Sequence, residues 1–306
     1  MFSYPNCTIQ KLGDMTKRSI EKIIAPPSVH YVGDGFRVHN FIPSVPILSM
    51  RRMDPFIMMD YNSKFYFEPS DKQRGVGVHP HRGFETVTIA YKGSVAHHDS
   101  AGNSGVINEG DVQWMTAASG ILHKEYHEKE FSKKGGFFQM VQLWVNLPAK
   151  FKFSQPRYQS ILNEQINKYI LPDNKGVVEV IAGNYKDVKG AAMTFSPVNL
   201  LSVSLENENQ LDFSFPDYYN TAIVVIEGKL LINDSHEAKV DHFVLFENKG
   251  TDFNVKSEEK AKFLVLSGEP LNESISAYGP FVMNTREQII EAYNEFQNGK
   301  FGFLEG

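Results

Sequence analysis

The sequence predicts an all-β protein made of two β-barrels in tandem, with a helix between them and another at the C-terminal end. Three observations lead there. The chain has 306 residues and 42% hydrophobic content, enough for two cores of ordinary size. Its texture is one of short apolar or alternating runs broken by glycine, proline and asparagine, the mark of many short strands. That texture occurs twice, before about residue 150 and again after about residue 175.

Taken in order, residues 1–17 read as an N-terminal extension and residues 18–150 as the first barrel. Thr86-Val87-Thr88-Ile89-Ala90-Tyr91 ends at Lys92-Gly93, Asn108-Glu109-Gly110-Asp111 turns into Val112-Gln113-Trp114-Met115, and Phe137 to Val145 ends at Asn146 and Pro148. Residues 151–172 read as a linker helix: Tyr158, Ile161, Leu162, Gln165 and Tyr169 stand near helical spacing, and Pro156 suits a first turn. Residues 173–280 form the second barrel, with strands at Val177–Ile181, Ala222–Gly228, Phe243–Phe246 and Phe263–Gly268. In residues 281–306, Thr285-Arg286-Glu287-Gln288 matches a capping box. Ile289, Ile290, Tyr293 and Phe296 then make an apolar stripe that Gly299 ends.

Charge and cysteine usage narrow the function. Lys plus Arg number 31 and Asp plus Glu 36, a net charge of −5, which disfavours direct nucleic-acid binding. Cys7 is the one cysteine and has no intramolecular partner, which suits a reducing compartment. The first residues lack a basic region followed by an apolar run, and eighteen apolar residues never occur together, so no signal peptide or membrane span is expected. Cytoplasm is the expected location, or the nucleus in a eukaryote.

The chemistry concentrates in Val78-His79-Pro80-His81-Arg82-Gly83-Phe84-Glu85 and in Ser119-Gly120-Ile121-Leu122-His123-Lys124-Glu125. An i, i+2 pair on a strand puts both side chains on one side, so His79 and His81 face together, as do His123 and Glu125. Three imidazoles and a carboxylate are then available to one ion. The fourth position is open between Glu125, beside the third histidine, and Glu85, which shares the face of His79 and His81 by parity. A helical zinc-protease reading of His123 to His127 fails, because Glu125 would lie about 200° around a helix from His123. His127 reads as a surface residue before the charged stretch containing Lys129, Lys133 and Lys134, a solvated loop. His97-His98 reads as part of a polar hairpin loop.

Glycine-bounded strands carrying His79, His81 and Glu85, then Gly93, Gly110 and His123, resemble the two-motif layout of cupin barrels, which are jelly-roll-like. A closer resemblance follows from Met53-Asp54-Pro55-Phe56, the run His79 to Thr88, the run Gly110 to Ala117, Ser119 to His123, and Gly279-Pro280-Phe281-Val282-Met283-Asn284-Thr285. From about Arg18 to the end, the chain resembles the pirin family; residues 1–17 and the insert-like stretch Tyr61 to Glu68 are not matched to it. The resemblance implies a bicupin whose N-terminal barrel holds a metal, usually iron, with ligands carried onto His79, His81, His123 and Glu125. It leaves Glu85 a supporting role. The second barrel is expected to be empty, since no His-x-His stands near Asp217 to Asn220 and His236 and His242 are isolated.

Two functions are implied. One is a quercetin 2,3-dioxygenase, which cleaves a flavonol with dioxygen and releases carbon monoxide, Glu125 accepting the proton of the 3-hydroxyl. Phe84, Trp114, Met115 and Met140 would wall a flat substrate or simply fill the barrel. The other is an iron-redox-sensing regulator that binds a transcription factor or metabolic enzyme. Ferrous iron, Fe(II), is the expected metal, although such ligands also accept Mn, Ni, Co, Cu or Zn.

Overall fold

The computed structural model describes residues 17–306; residues 1–16, which include Cys7 and all but the last residue of the N-terminal extension, lie outside the described residues. Two barrels follow the same plan. Each pairs a seven-stranded antiparallel sheet with a four-stranded one. In the first barrel the larger sheet runs, in spatial order, Arg157–Ile161, Val112–Thr116, Phe84–Lys92, Gly136–Asn146, Phe56–Phe67, Phe36–Ile42 and His30–Val32. The smaller runs Gly75–His81, Ile121–His127, Val95–Asp99 and Ser104–Ile107.

The second barrel repeats this order. Its larger sheet is Ile20–Ile24, Phe243–Phe246, Asn220–Glu227, Ala261–Gly268, Val198–Leu205, Gly176–Ala182 and Asn167–Ile170; its smaller one is Asn209–Ser214, Asp252–Ser257, Lys229–Ile232 and His236–Lys239. Alternation along these strands fills a separate interior in each barrel. The large sheets also meet through one continuous core, in which Phe41, Trp114 and Val141 of the first barrel join Leu200, Phe243 and Leu266 of the second.

The barrels exchange their outermost strands, which corrects both the linker helix and the domain limits. Arg157–Ile161 is a strand, and it lies antiparallel to Val112–Thr116 of the first barrel, Arg157 opposite Thr116 and Ile161 opposite Val112. After a 3-10 turn at Asn163–Gln165, Asn167–Ile170 joins the second barrel. Ile20–Ile24, near the other end of the chain, pairs with Phe243–Phe246 of the second barrel. The fully buried Arg18 fastens this strand, donating to the carbonyls of Gly250 and Tyr219 and to the Thr221 hydroxyl at 2.6–3.0 Å. The helical spacing after Pro156 was a weak local preference, and an open sheet edge with unpaired backbone groups outweighs it.

The C-terminal helix, Arg286–Gln297, forms as its sequence predicts. Thr285 Oγ1 accepts from the Gln288 amide, and the Gln288 side chain accepts in return from the Thr285 amide. It packs on the first barrel, not on the one that precedes it in sequence. Phe281, Met283, Ile289, Ala292 and Phe301 bury together with Leu122, so the end of the chain returns to the strands that carry the histidines. Tyr61 to Phe67 is the second half of the long strand Phe56–Phe67.

Candidate metal centre

The adjacent strands Gly75–His81 and Ile121–His127 bring the three histidines together. His79 lies directly opposite His123, and His81 stands two residues further along. Their ring centroids are 4.2 Å (His79–His123), 4.8 Å (His79–His81) and 4.7 Å (His81–His123) apart. One nitrogen from each ring lies within 4.8 Å of the other two. Burial holds the His81 and His123 imidazoles well below the usual histidine range, with neighbouring imidazoles adding to the effect. Burial also lowers His79. Neutral imidazole is the form that ligates a metal.

Ring orientation is fixed from behind. His79 Nδ1 donates to the Gly77 carbonyl at 2.8 Å, and His81 Nδ1 makes a long 3.4 Å contact with the Pro280 carbonyl. Each carbonyl can only accept, so the proton sits on Nδ1 and Nε2 is left free to bind. Both ring nitrogens of His123 are buried with no hydrogen-bond partner, a costly arrangement unless something accepts their lone pair. Three convergent neutral donors with an unsatisfied buried ring fit a divalent ion well.

Glu125 lines the same cavity, beyond the three-imidazole group. The register slips between His123 and Glu125, which pairs with Val76. Gln142 Nε2 donates to its Oε2 at 3.2 Å, while Gln142 Oε1 accepts from the Thr88 hydroxyl. Burial pushes the Glu125 carboxyl up to about 7, against the pull of Gln142 and Thr88.

Glu85 faces elsewhere, contrary to the parity expectation. The strand of His79 and His81 ends at His81, and Gly83 turns with φ +93° into a strand of the other sheet, so the alternation does not carry across. Inward positions after the turn are Phe84 and Thr88, while Glu85 sits on the opposite side, fully buried, accepting from Thr116 Oγ1 at 2.7 Å. Burial raises its carboxyl to about 7.

His127 and the His97-His98 pair also depart from expectation. His127 is fully buried among Phe67, Phe131 and Phe138, its Nε2 on the Gly35 carbonyl at 2.8 Å. The stretch after it is a short helix, Lys129–Lys134, capped by Glu128, that lays Phe131 over the imidazole. His97 and His98 lie on the strand Val95–Asp99; His97 is fully buried and stacks on Tyr158, and His98 stacks on Tyr126. Exchange of strand Arg157–Ile161 supplies Tyr158, a contact no local pattern indicates.

The cavity beside the histidines holds about 300 Å³. Val32, Phe36, Val38, Met58, Met140 and Trp144 give it apolar walls, and Asp60, Asn62 and Gln142 add polar points. Trp144 stands 5.1 Å from His81 and stacks on Phe84 at 4.1 Å. Of the four residues expected as a wall, Met140 lines the cavity and Phe84 backs it. Trp114 lies in the core between the barrels and Met115 in a separate cluster with Ile121. Thr88, Gln142, Asp60 and Asn62 were not anticipated; the available signal was a polar residue at an inward position of an alternating strand.

In the second barrel the matching strands place Phe213 opposite Phe253, rings 5.2 Å apart and nearly parallel, with Phe215 two residues on. Phenyl rings thus stand in a cross-strand arrangement like that of the imidazoles in the first.

Comparison with known proteins agrees with this architecture. Residues 35–145 match the family model described as Pirin, and residues 200–302 match the Pirin C-terminal cupin domain. A Pseudomonas aeruginosa protein named "putative quercetin 2,3-dioxygenase" is 47% identical over 274 residues, 89% of this chain and 94% of that one. A pirin-like protein of Solanum lycopersicum is 36% identical, covering 89% of each. The crystal structure of a quercetin 2,3-dioxygenase from Acinetobacter baumannii superposes with a TM-score of 0.88 at 44% identity, over 94% of this chain and 99% of that chain. With both barrels matched in order and the histidines gathered in the first, the chain belongs to the pirin family.

Proposed function

We propose that this protein is a metal-dependent dioxygenase that cleaves flavonols such as quercetin with dioxygen and releases carbon monoxide, using Fe(II) held by His79, His81, His123 and Glu125. The observation that carries the reading is the gathering of three neutral imidazoles, two of them buried, with His79 and His81 on the wall of an apolar cavity that also contains the Glu125 carboxyl. The similarity to proteins named as quercetin 2,3-dioxygenases supports the substrate class.

When bound, the metal would supply Lewis-acid and redox chemistry toward the substrate's oxygen and dioxygen. The chain's own groups do the rest. Trp144, Met140 and Val38 receive a flat ring system and exclude water. Glu125 takes the proton of the flavonol 3-hydroxyl, a role that needs an accessible carboxylate oxygen beside the substrate. The Thr88–Gln142 relay holds the carboxylate by a donated N–H, so Glu125 keeps its orientation in either protonation state. Manganese, nickel, cobalt, copper and zinc suit the same donors, and raw affinity favours copper.

The test is quercetin consumption in air by protein stripped of metal and reloaded anaerobically with ferrous iron, beside Glu125→Ala treated identically. Turnover by the loaded wild type, lost by at least 100-fold in the variant, supports the reading. No turnover with one iron bound per chain overturns it. A partner affinity that differs between ferrous and ferric forms would then favour the regulatory function.

A further inference from the structure

The cavity wall opposite the histidines is a ladder of facing residues. Trp144 lies opposite Met58, Gln142 opposite Asp60 and Met140 opposite Asn62. Successive inward positions on a strand are about 7 Å apart. Trp144 stands against His81 and Gln142 against Glu125, so Asn62 marks the end of the cavity remote from His81, about 14 Å along the strand from the Met58 position. That distance suits a ligand longer than a single ring.

Asn62 is only 2% exposed, lines the cavity, and neither its Oδ1 nor its Nδ2 has a hydrogen-bond partner. Its neighbours in the strand are satisfied on the other face: Tyr61 donates to Asp241, and Ser63 bonds His39. A buried carboxamide with its whole hydrogen-bonding capacity unused is costly, and apolar walls nearby offer it nothing. It is explained if a ligand's polar groups reach it.

We propose that Asn62 determines specificity by reading the distal ring of the substrate. A carboxamide offers an acceptor and a donor side by side, the complement of two adjacent phenolic hydroxyls: one hydroxyl donates to Oδ1 while the oxygen of the other accepts from Nδ2. The preferred ligand is therefore a flavonol whose outer ring carries vicinal hydroxyls, over one with a bare phenyl. This rests on the flavonol reading above for the ligand's identity.

The test is equilibrium binding, without oxygen, of quercetin and of the flavonol that differs only by a bare outer ring, to iron-loaded wild type and Asn62→Leu. The wild type prefers quercetin by at least 10-fold, and the variant reduces that preference to about 2-fold by weakening quercetin alone. The thermal midpoint of the ligand-free variant stays level or rises, because an unsatisfied amide is gone. Asn62→Ala serves as the second variant if leucine disturbs folding. Equal wild-type affinity for both flavonols overturns the Asn62 role and leaves the flavonol reading standing; binding of neither overturns both. Equal weakening of both ligands with a lowered midpoint makes Asn62 a structural residue and also overturns the proposal.

Discussion

Replacing Glu85 by glutamine separates the two carboxyls that compete on sequence grounds, and its effect is a pH-dependent change in stability. Glu85 is fully buried, accepts one hydrogen bond from Thr116, and leaves its other oxygen without a partner. Burial raises its carboxyl from 4.5 to about 7. A raised acid binds its proton more tightly in the folded state, so its stabilisation is complete below the unfolded pKa and declines as pH rises through the folded one. With those two values, ionisation costs the folded protein about 1 kcal/mol at pH 5 and about 3 kcal/mol at pH 8. Glutamine cannot ionise. In the metal-free protein, urea unfolding of wild type and Glu85→Gln at the two pH values cancels every other titrating group. The variant gains about 2 kcal/mol relative to wild type between pH 5 and pH 8. Its bound metal, measured by elemental analysis, stays at the wild-type level. A stability difference independent of pH, or a variant that no longer loads metal, would refute both the burial account and the exclusion of Glu85 from the ligand set.

Three further outcomes follow from the packing. His127→Phe keeps a ring among Phe67, Phe131 and Phe138 but abandons the Gly35 carbonyl; unfolding should show a loss of about 1–2 kcal/mol with metal content unchanged. Gly83→Ala would place a Cβ 1.9 Å from the Val282 carbonyl at a φ of +93°, so the turn after His81 must shift; both thermal midpoint and metal affinity should fall, the affinity by at least 10-fold. Lys152 is fully buried, and its Nζ donates to the carbonyls of Gly83 and Val282 and to Asn146 Oδ1 at 2.6–2.9 Å. Lys152→Met strands three acceptors and should cost about 3 kcal/mol in urea unfolding.

The sequence by itself determined whatever depends on neighbours along one continuous element. Two residues' spacing on a strand set His79 with His81 on one face, and the glycine-bounded runs set an all-β chain. The capping box at Thr285 set where the last helix starts, because its partners are three residues apart. Tertiary structure decided whatever depends on elements distant in sequence. Parity gave Glu85 the face of His79 and His81, yet the turn at Gly83 moves the chain to another sheet and restarts the alternation. Apolar spacing after Pro156 suggested a helix, yet the open edge at Val112–Thr116 takes Arg157–Ile161 as a strand. His97 and His127 sit in polar sequence and are buried because Tyr158, Phe67 and Phe138 reach them from other strands and Phe131 from the helix that follows. The Pro280 carbonyl behind His81 comes from beyond the second barrel. Apart from the turn at Gly83, a backbone hydrogen bond or an aromatic contact across long sequence separation outweighs a local preference worth only a fraction of a kcal/mol per residue.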